Sequence, residues 1–349
     1  MFKNVCVMVG LITVVKGITF FLWEEMPMGT FIGNVASQAN VTSESCGNNK
    51  IINFYILQNN DSSFFSIDSQ TGNLMISKII DRDVICSGDP SLLCNLSLSV
   101  VAICGDFETF VRKIDVNVIV EDINDNAPMF PNQSTVVRIS EAAAIGSRWL
   151  LPTADDRDSN NNSVQWYDIV PSDVPFGVST SFDLHSHRHV PSLVVTRPLD
   201  REVLDLYSFS LIAIDSGIPS RTGSTTVNVV VEDINDNTPV FEKRNYPISI
   251  YENYPSGQPI LNVMAFDIDI GTNAMISYQL SDQQPQDIKD TFHIDSARGI
   301  LQLAKTLNNG TSGSIITVLV EAVDHGVPPL TGRTVITITV NEPIENVVG

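Results

Sequence analysis

Short runs of β-branched residues recur along the chain, at residues 116–120, 227–231 and 335–340. Residues 206–214 alternate polar and apolar side chains, the period of a strand with one buried face. Pro, Gly, Asn and Asp interrupt the pattern at short intervals, and no long amphipathic helical stretch appears. Many short strands separated by turns predict an all-β chain built from sandwiches.

The pattern repeats. Val-Glu-Asp-Ile-Asn-Asp-Asn occurs at 120–126 and again at 231–237, an offset of 111, and each copy runs into a Pro-x-Phe: Pro128 to Phe130 and Pro239 to Phe241. The same offset links Glu141 to Glu252, each followed five residues later by glycine, Gly146 and Gly257, and Glu24 with Gly29 keeps that spacing upstream. Ala-x-Asp-x-Gly-x-Pro recurs at 213–219 and 322–328. Such a register predicts three tandem domains of about 110 residues, with boundaries near 18–126, 127–237 and 238–349.

Charge changes the picture. The 349 residues carry 20 Lys+Arg against 40 Asp+Glu, a formal net charge of −20, which argues against a phosphate-binding surface and hence against nucleic acid. Hydrophobic residues make up 43% and charged ones 17%, so the acidic excess sits on a folding chain. Carboxylates gathered on a folded protein make divalent cations the first candidate ligand. At the N-terminus Lys3 precedes an apolar run over residues 5–15, with Val15 and Gly17 at a plausible cleavage point, so residues 1–17 read as a secretory signal. The run is too short to span a membrane, and no later stretch is longer. Four cysteines remain after Cys6, namely Cys46, Cys86, Cys94 and Cys104, and they allow three pairings. The short spacing favours Cys86–Cys94, worth roughly 2–3 kcal/mol by loop closure, and leaves Cys46–Cys104.

Asp and Asn alternate in Asp122-Ile123-Asn124-Asp125-Asn126, which offers side-chain oxygens on both sides of an extended linker. Further pairs follow at Asp156 and Asp158 with Asn162, and at Asp267 and Asp269 with Asn273. Ca²⁺ takes six to eight oxygens in flexible geometry, which suits such a set. The spacing is not that of an EF-hand, so the oxygens must converge from separate parts of the fold.

These linkers, the Leu199-Asp200-Arg201-Glu202 block, the Asp-x-Asp pairs and the Ala-x-Asp-x-Gly-x-Pro segments resemble extracellular cadherin repeats over nearly all of the chain. The first repeat is most similar to that of a protocadherin, through Glu24-Glu25, Gly29-Thr30-Phe31-Ile32-Gly33 and Ile80-Asp81-Arg82-Asp83 leading into Cys86 and Cys94. The resemblance implies three tandem Greek-key β-sandwich repeats joined by calcium-binding linkers, with about three Ca²⁺ ions at each linker. At the first it implies Glu24, Asp81, Asp83, Asp122, Asn124, Asp125, Asp156, Asp158 and Asp215, with the carbonyls of Ile123, Asn126 and Asn162. At the second it implies Glu141, Asp200, Glu202, Asp233, Asn235, Asp236, Asp267, Asp269 and Asp324, with the carbonyls of Ile234, Asn237 and Asn273. Each set contains eight carboxylates, whose repulsion should loosen the linker without metal and whose neutralisation should stiffen it.

Departures from the pattern carry expectations of their own. Asp83 stands where the family usually has Glu, a shorter reach, and Asn160 stands where it usually has Gly. The third repeat has Leu307-Asn308-Asn309 in place of the Asp-Arg-Glu block and a degenerate Glu342-Pro343-Ile344-Glu345-Asn346 terminus, so no full Ca²⁺ site is expected at its C-terminal end. The first repeat has no Asp-x-Asp pair, and Trp23 abuts Glu24 with no earlier tryptophan, so exchange of an N-terminal strand is not expected.

His185, His187 and His189 alternate, as a zinc site would require, but Arg188 and Pro191 beside them favour a hairpin tip. No Gly-x-Ser-x-Gly elbow or catalytic Cys/His arrangement appears, so the chain is not expected to be an enzyme. Asn-x-Ser/Thr sequons at Asn40, Asn60, Asn95, Asn132, Asn161 and Asn309 suit an extracellular glycoprotein. The family resemblance implies a cell-surface, Ca²⁺-dependent adhesion protein, homophilic or pairing with a related cadherin on an apposed cell. The alternative is a truncated or secreted calcium-binding cadherin-repeat module acting as a decoy or heterophilic binder.

Overall fold

The computed structural model of the chain describes residues 13–42, 51–86, 93–104, 111–308 and 310–343. Its regular structure is mainly strand; among the described residues it has three short α-helices, α1 (Val35–Gln38), α2 (Arg82–Ile85) and α3 (Gln286–Thr291), and 3-10 turns at Asp61–Phe64 and Asn160–Asn162. The chain divides into two compact units, Met1–Thr135 with Arg148–Val194 and Phe209–Val227, and Val136–Ser147 with Val195–Ser208 and Asn228–Gly349.

Seven strands make the N-terminal part of the first unit: β1 (Thr13–Trp23), β2 (Phe31–Asn34), β3 (Ile52–Leu57), β4 (Phe65–Ile67), β5 (Asn73–Ile76), β6 (Cys94–Cys104) and β7 (Val111–Glu121). They form one sheet ordered β1-β7-β6-β3 and a second ordered β2-β5-β4. β1 pairs parallel to β7, with a break in register between Val15 and Ile18, and takes in residues 13–17 that the sequence assigns to the secretory signal. Strict alternation builds the core: Ile18, Phe20 and Leu22 of β1, Leu96 and Leu98 of β6, and Val116 and Val118 of β7 line the inner face of one sheet, all buried. Each fully buried Leu, Ile or Phe contributes about 1.5–3 kcal/mol. Cys86 and Cys94 are joined, their Cα atoms 5.7 Å apart, as the short spacing favoured. Cys46 lies outside the described residues.

The chain continues through β8 (Ser134–Ser140), β9 (Arg148–Leu150), β10 (Val164–Val170), β11 (Phe176–Asp183), β12 (Arg188–Val195), β13 (Leu206–Asp215) and β14 (Thr222–Glu232). In the first unit β10 pairs antiparallel with β13, and β12 with β9. His185 and His187 occupy the turn between β11 and β12, and His189 enters β12, where its Nδ1 lies 3.0 Å from the Val164 carbonyl. Two of the three thus sit at a hairpin tip and the third in the strand beside it.

The second unit holds β15 (Val240–Phe241), β16 (Asn245–Tyr251), β17 (Pro259–Asn262), β18 (Ala265–Phe266), β19 (Ile276–Leu280), β20 (Phe292–Ile294), β21 (Ile300–Leu303), β22 (Ile315–Asp324) and β23 (Thr331–Asn341). Its sheets run β16-β23-β22-β19 and β17-β21-β20, with β15-β18 as a short pair, and β16 runs parallel to β23 as β1 does to β7. Leu301, Leu303, Val318, Val320, Ile336 and Ile338 are fully buried between them. The Pro-x-Phe that follows each linker has a packing role: Phe130 lies 6.2 Å from the Tyr167 ring and Phe241 6.1 Å from Tyr278. Both tyrosine hydroxyls accept a backbone hydrogen bond at 3.0 Å, from Ala154 and Ala265, and so fix the start of each domain against its interior.

Candidate metal centres

Each acidic set is organised around one buried glutamate. Glu24 follows β1 and is 2% exposed; its Oε2 accepts from the Arg82 N–H at 2.7 Å and its Oε1 from the Ile123 N–H at 3.1 Å. Glu141 does the same in the second unit, with the Arg201 and Ile234 N–H groups, both at 2.8 Å. One side chain thus ties the end of a first strand to an Asp-Arg block and to the linker. Asp81 caps α2 by accepting from the Val84 N–H, and Asp200 accepts likewise from Val203. The caps hold Asp83 and Glu202 beside the linker.

The linker amides close the sets. Asn126 Nδ2 donates to Asp83 Oδ2 at 2.6 Å, Asp125 Oδ1 at 2.7 Å and Asp158 Oδ1 at 2.8 Å. Asn237 Nδ2 donates to Asp236 Oδ1 and Asp269 Oδ1, both at 2.7 Å. Asp156 Oδ1 accepts from the Asp158 N–H, and Asp267 Oδ1 from Asp269. Ile123 and Ile234 each give their carbonyl to the amide two residues on.

Ligand atoms converge in four groups, each within 4.8 Å: Glu24, Asp81 and Asp83; Asp83, Asp125 and Asp158; Glu141, Asp200 and Glu202; and Glu202, Asp233 and Asp269. Asp83 belongs to both groups of its linker, as Glu202 does to both of the other. The shorter side chain therefore still bridges two groups, although it meets Asp125 where Glu202 meets Asp233, the counterpart of Asp122.

Asp215 and Asp324 enter from Ala-x-Asp-x-Gly-x-Pro. Asp215 is fully buried, its Oδ1 accepting from Gly217 and Arg221 N–H groups at 3.1 and 2.9 Å. Asp324 Oδ1 accepts from Gly326 N–H and from Asn235 Nδ2, at 2.9 and 3.0 Å. The rest of the motif grips the linker: Asn124 Nδ2 donates to the Pro219 carbonyl at 2.6 Å and Asn235 Nδ2 to that of Pro328 at 2.7 Å. Glycine leaves room for this grip: a Cβ at Gly217 would lie 2.1 Å from Asn124 Nδ2, and one at Gly326 2.1 Å from Asn235 Cγ, so either would displace the asparagine side chain.

Asn162 and Asn273 are in place, but their side-chain amides donate to Asp122 Oδ2 and Asp233 Oδ2, each at 2.9 Å. Asn160 sits at φ 50° and its counterpart Gly271 at φ 61°. Asparagine tolerates that left-handed conformation, which accounts for its presence where glycine is usual. Among the described residues Glu252 lies apart from any such set; its Oε1 accepts from the Thr311 N–H at 2.7 Å. Residues 344–346 and Asn309 lie outside the described residues.

Crowding shows in the proton affinities. Burial, then the charges of Glu24 and Asp158, pushes Asp83 up to about 8. Burial pushes Asp156 up to about 7 and Asp158 to about 6. Glu24, Glu202, Asp236 and Asp267 are raised too, in each case mainly by burial. Such a set favours a positive charge among its members. Hydrogen bonding points the same way. Of the eight buried side-chain N or O atoms without a partner among the described residues, five are oxygens of the expected ligands: Asn124 Oδ1, Asp156 Oδ2, Asp215 Oδ2, Asn235 Oδ1 and Asp267 Oδ2. Buried oxygens that no donor satisfies fit a hard cation.

Sandwiches whose first strand runs parallel to the last, and two Asp-rich linkers each bonded to a buried Glu, define the architecture of a cadherin. The cadherin domain model matches residues 135–232 and 246–341, and the cadherin-like model matches residues 17–103; the chain belongs to the cadherin family. Its relatives are protocadherins. Protocadherin gamma-A3 of Homo sapiens is 32% identical over 329 residues, 94% of this chain and 34% of that protein. Protocadherin gamma-B3 of Homo sapiens is 35% identical over 309 residues, 88% of this chain and 32% of that protein. The chain spans about a third of the length of these relatives. The structure of mouse clustered PcdhgC3 EC1-3 superposes with a TM-score of 0.78 at 27% identity, covering 93% of this chain and all of that one. Protocadherin Gamma C5 EC1-3 gives 0.77 at 30% identity, covering 92% and 99%. The fold is that of three tandem cadherin repeats, and the family is one of adhesion proteins, not enzymes.

Sequence reasoning missed the arginine of the Asp-Arg block, the glycine and proline that grip the linker, and Ser159. A signal existed for the first three, since each recurs within a block already singled out.

Proposed function

We propose that this chain is a recognition ectodomain of the protocadherin type, whose repeats span 18–126, 127–237 and 238–349 behind a secretory signal at 1–17. Its two linkers hold about three Ca²⁺ ions each, bound by the two residue sets led by Glu24 and Glu141. What carries the reading is the recurrence of unsatisfied buried oxygens at Asn124 and Asn235 and at Asp156 and Asp267, the same places in both linkers. When bound, the ions supply the positive charge that the carboxylates lack. The chain's own residues supply the rest: Glu24 and Glu141 fix the linker to the preceding repeat, and Asn124 and Asn235 fix it to the following one. The protocadherin relatives support a reading as a cell-surface adhesion protein, homophilic between copies on apposed cells.

The test displays residues 18–349 on beads in millimolar Ca²⁺ and in chelator. Clumping in Ca²⁺ alone is the expected result. Beads that stay dispersed in both conditions sink the claim that these residues suffice for homophilic adhesion.

A further inference from the structure

Two arginines lie inside the acidic sets. Arg82 is 4% exposed, and its Nη1 donates to Asp122 Oδ1 at 2.9 Å. Arg201 donates through Nε to Asp233 Oδ1 and through Nη2 to the Ile268 carbonyl, the latter at 2.8 Å. The same two aspartates are held from the opposite side. Asp122 Oδ2 accepts from the Ser159 N–H and from Asn162 Nδ2, each at 2.9 Å. Asp233 Oδ2 accepts from the Ile270 N–H at 3.1 Å and from Asn273 Nδ2 at 2.9 Å. A continuous run of charge-assisted bonds thus passes from the Asp-Arg block through the linker to the Asp-x-Asp loop, made wholly of protein. It occurs twice, in separate units, with the same atoms of Asp122 and Asp233 in the same roles.

We propose that Arg82 and Arg201 are resident cations that tether each linker to the repeat that precedes it without any bound ion, and that compete with an ion for Asp122 and Asp233. A carboxylate shared between a buried guanidinium and two N–H donors is satisfied as it stands, in contrast to Asp156 and Asp267, which keep a bare oxygen. The arginine is a positioning residue. It offsets one of eight negative charges, keeps the linker docked when Ca²⁺ is scarce, and gives up Asp122 Oδ1 or Asp233 Oδ1 when an ion takes its place. The competition rests on the calcium reading above; the tether does not.

The test compares the whole chain with Arg201→Gln under limited proteinase K digestion, with cut positions read by mass spectrometry. In chelator, cleavage within residues 233–238 should accelerate roughly tenfold, the size expected for one charge-assisted hydrogen bond, while the first linker of the same molecule is unchanged. Arg201→Lys, which keeps the charge but not the planar fork, should recover part of the protection. In a Ca²⁺ titration the midpoint for protection of the second linker should fall several-fold in Arg201→Gln, because a competing cation is gone; an arginine that merely props up the fold would raise it. Equal cleavage rates in chelator, or a raised midpoint, overturn the proposal. Should Ca²⁺ protect neither protein, the calcium reading fails while the chelator comparison still decides the tether. If Arg201→Gln does not fold by circular dichroism, Arg82→Gln puts the same question to the first linker, with the second as its control.

Discussion

At the scale of single residues, backbone conformation explains several of the sequence signals. Gly29, Gly146 and Gly257 stand five residues after Glu24, Glu141 and Glu252, and all three have positive φ, 84°, 90° and 78°. A Cβ at any of them would meet nothing within 4 Å, so the constraint is the left-handed turn itself and not space. Gly326 and Gly332 are the opposite case. A Cβ at Gly326 meets the Asn235 side chain, which can yield, whereas one at Gly332 lies 1.8 Å from the Pro239 carbonyl oxygen, which is backbone. Gly332→Ala should therefore destabilise the third repeat by roughly 1–3 kcal/mol in thermal unfolding, the usual range for overpacking. Gly326→Ala should cost less stability and instead weaken Ca²⁺ binding at the second linker, read by calorimetric titration. Equal effects of the two variants on stability would refute this division of roles.

At the scale of elements, strands and turns were legible because alternation is local. The runs at 116–120, 227–231 and 335–340 fall in β7, β14 and β23, where every second residue is buried. What alternation did not reveal is the polar network carried by β22. Glu321 is 6% exposed; its carboxylate accepts from Ser281 Oγ at 2.9 Å and from Arg333 Nε and Gln279 Nε2 at 3.0 Å. Burial alone would raise its pKa, but these three donors together bring it below the ordinary 4.5. The folded protein thus holds this proton more weakly than the unfolded chain does. The stabilisation is fully present above about pH 4.5 and is lost as the pH falls through the lower folded value. Glu321→Gln should lower the melting temperature at neutral pH and flatten its decline toward acid. A decline as steep as that of the unsubstituted protein would show that Glu321 does not contribute to it.

At the scale of the whole molecule, the two linkers are separate sites, since the residues of the first all lie in one compact unit and those of the second in the other. Changing Asp233 and Asp236 together to Ala removes two of eight carboxylates from the second set alone. Ca²⁺ should then cease to protect the second linker from protease and continue to protect the first. Equal resistance of both linkers in Ca²⁺ would contradict the assignment of ligands.

The sequence by itself determined the class of fold and pointed to the residues proposed for each acidic set. Strand period and turn residues are local properties, and an exact repeat at 111 residues reports the same site built twice. Position in the chain carries no record of which atoms of a side chain are used. Only the tertiary structure decided that Asn124 and Asn235 spend Nδ2 on a proline carbonyl and leave Oδ1 bare, that Asn162 and Asn273 present an amide to Asp122 and Asp233, and that the arginine between two acidic residues turns inward. Those outcomes follow from bringing together segments about 40 to 95 residues apart, where burial forces each donor and acceptor to find a partner or leaves it to a cation.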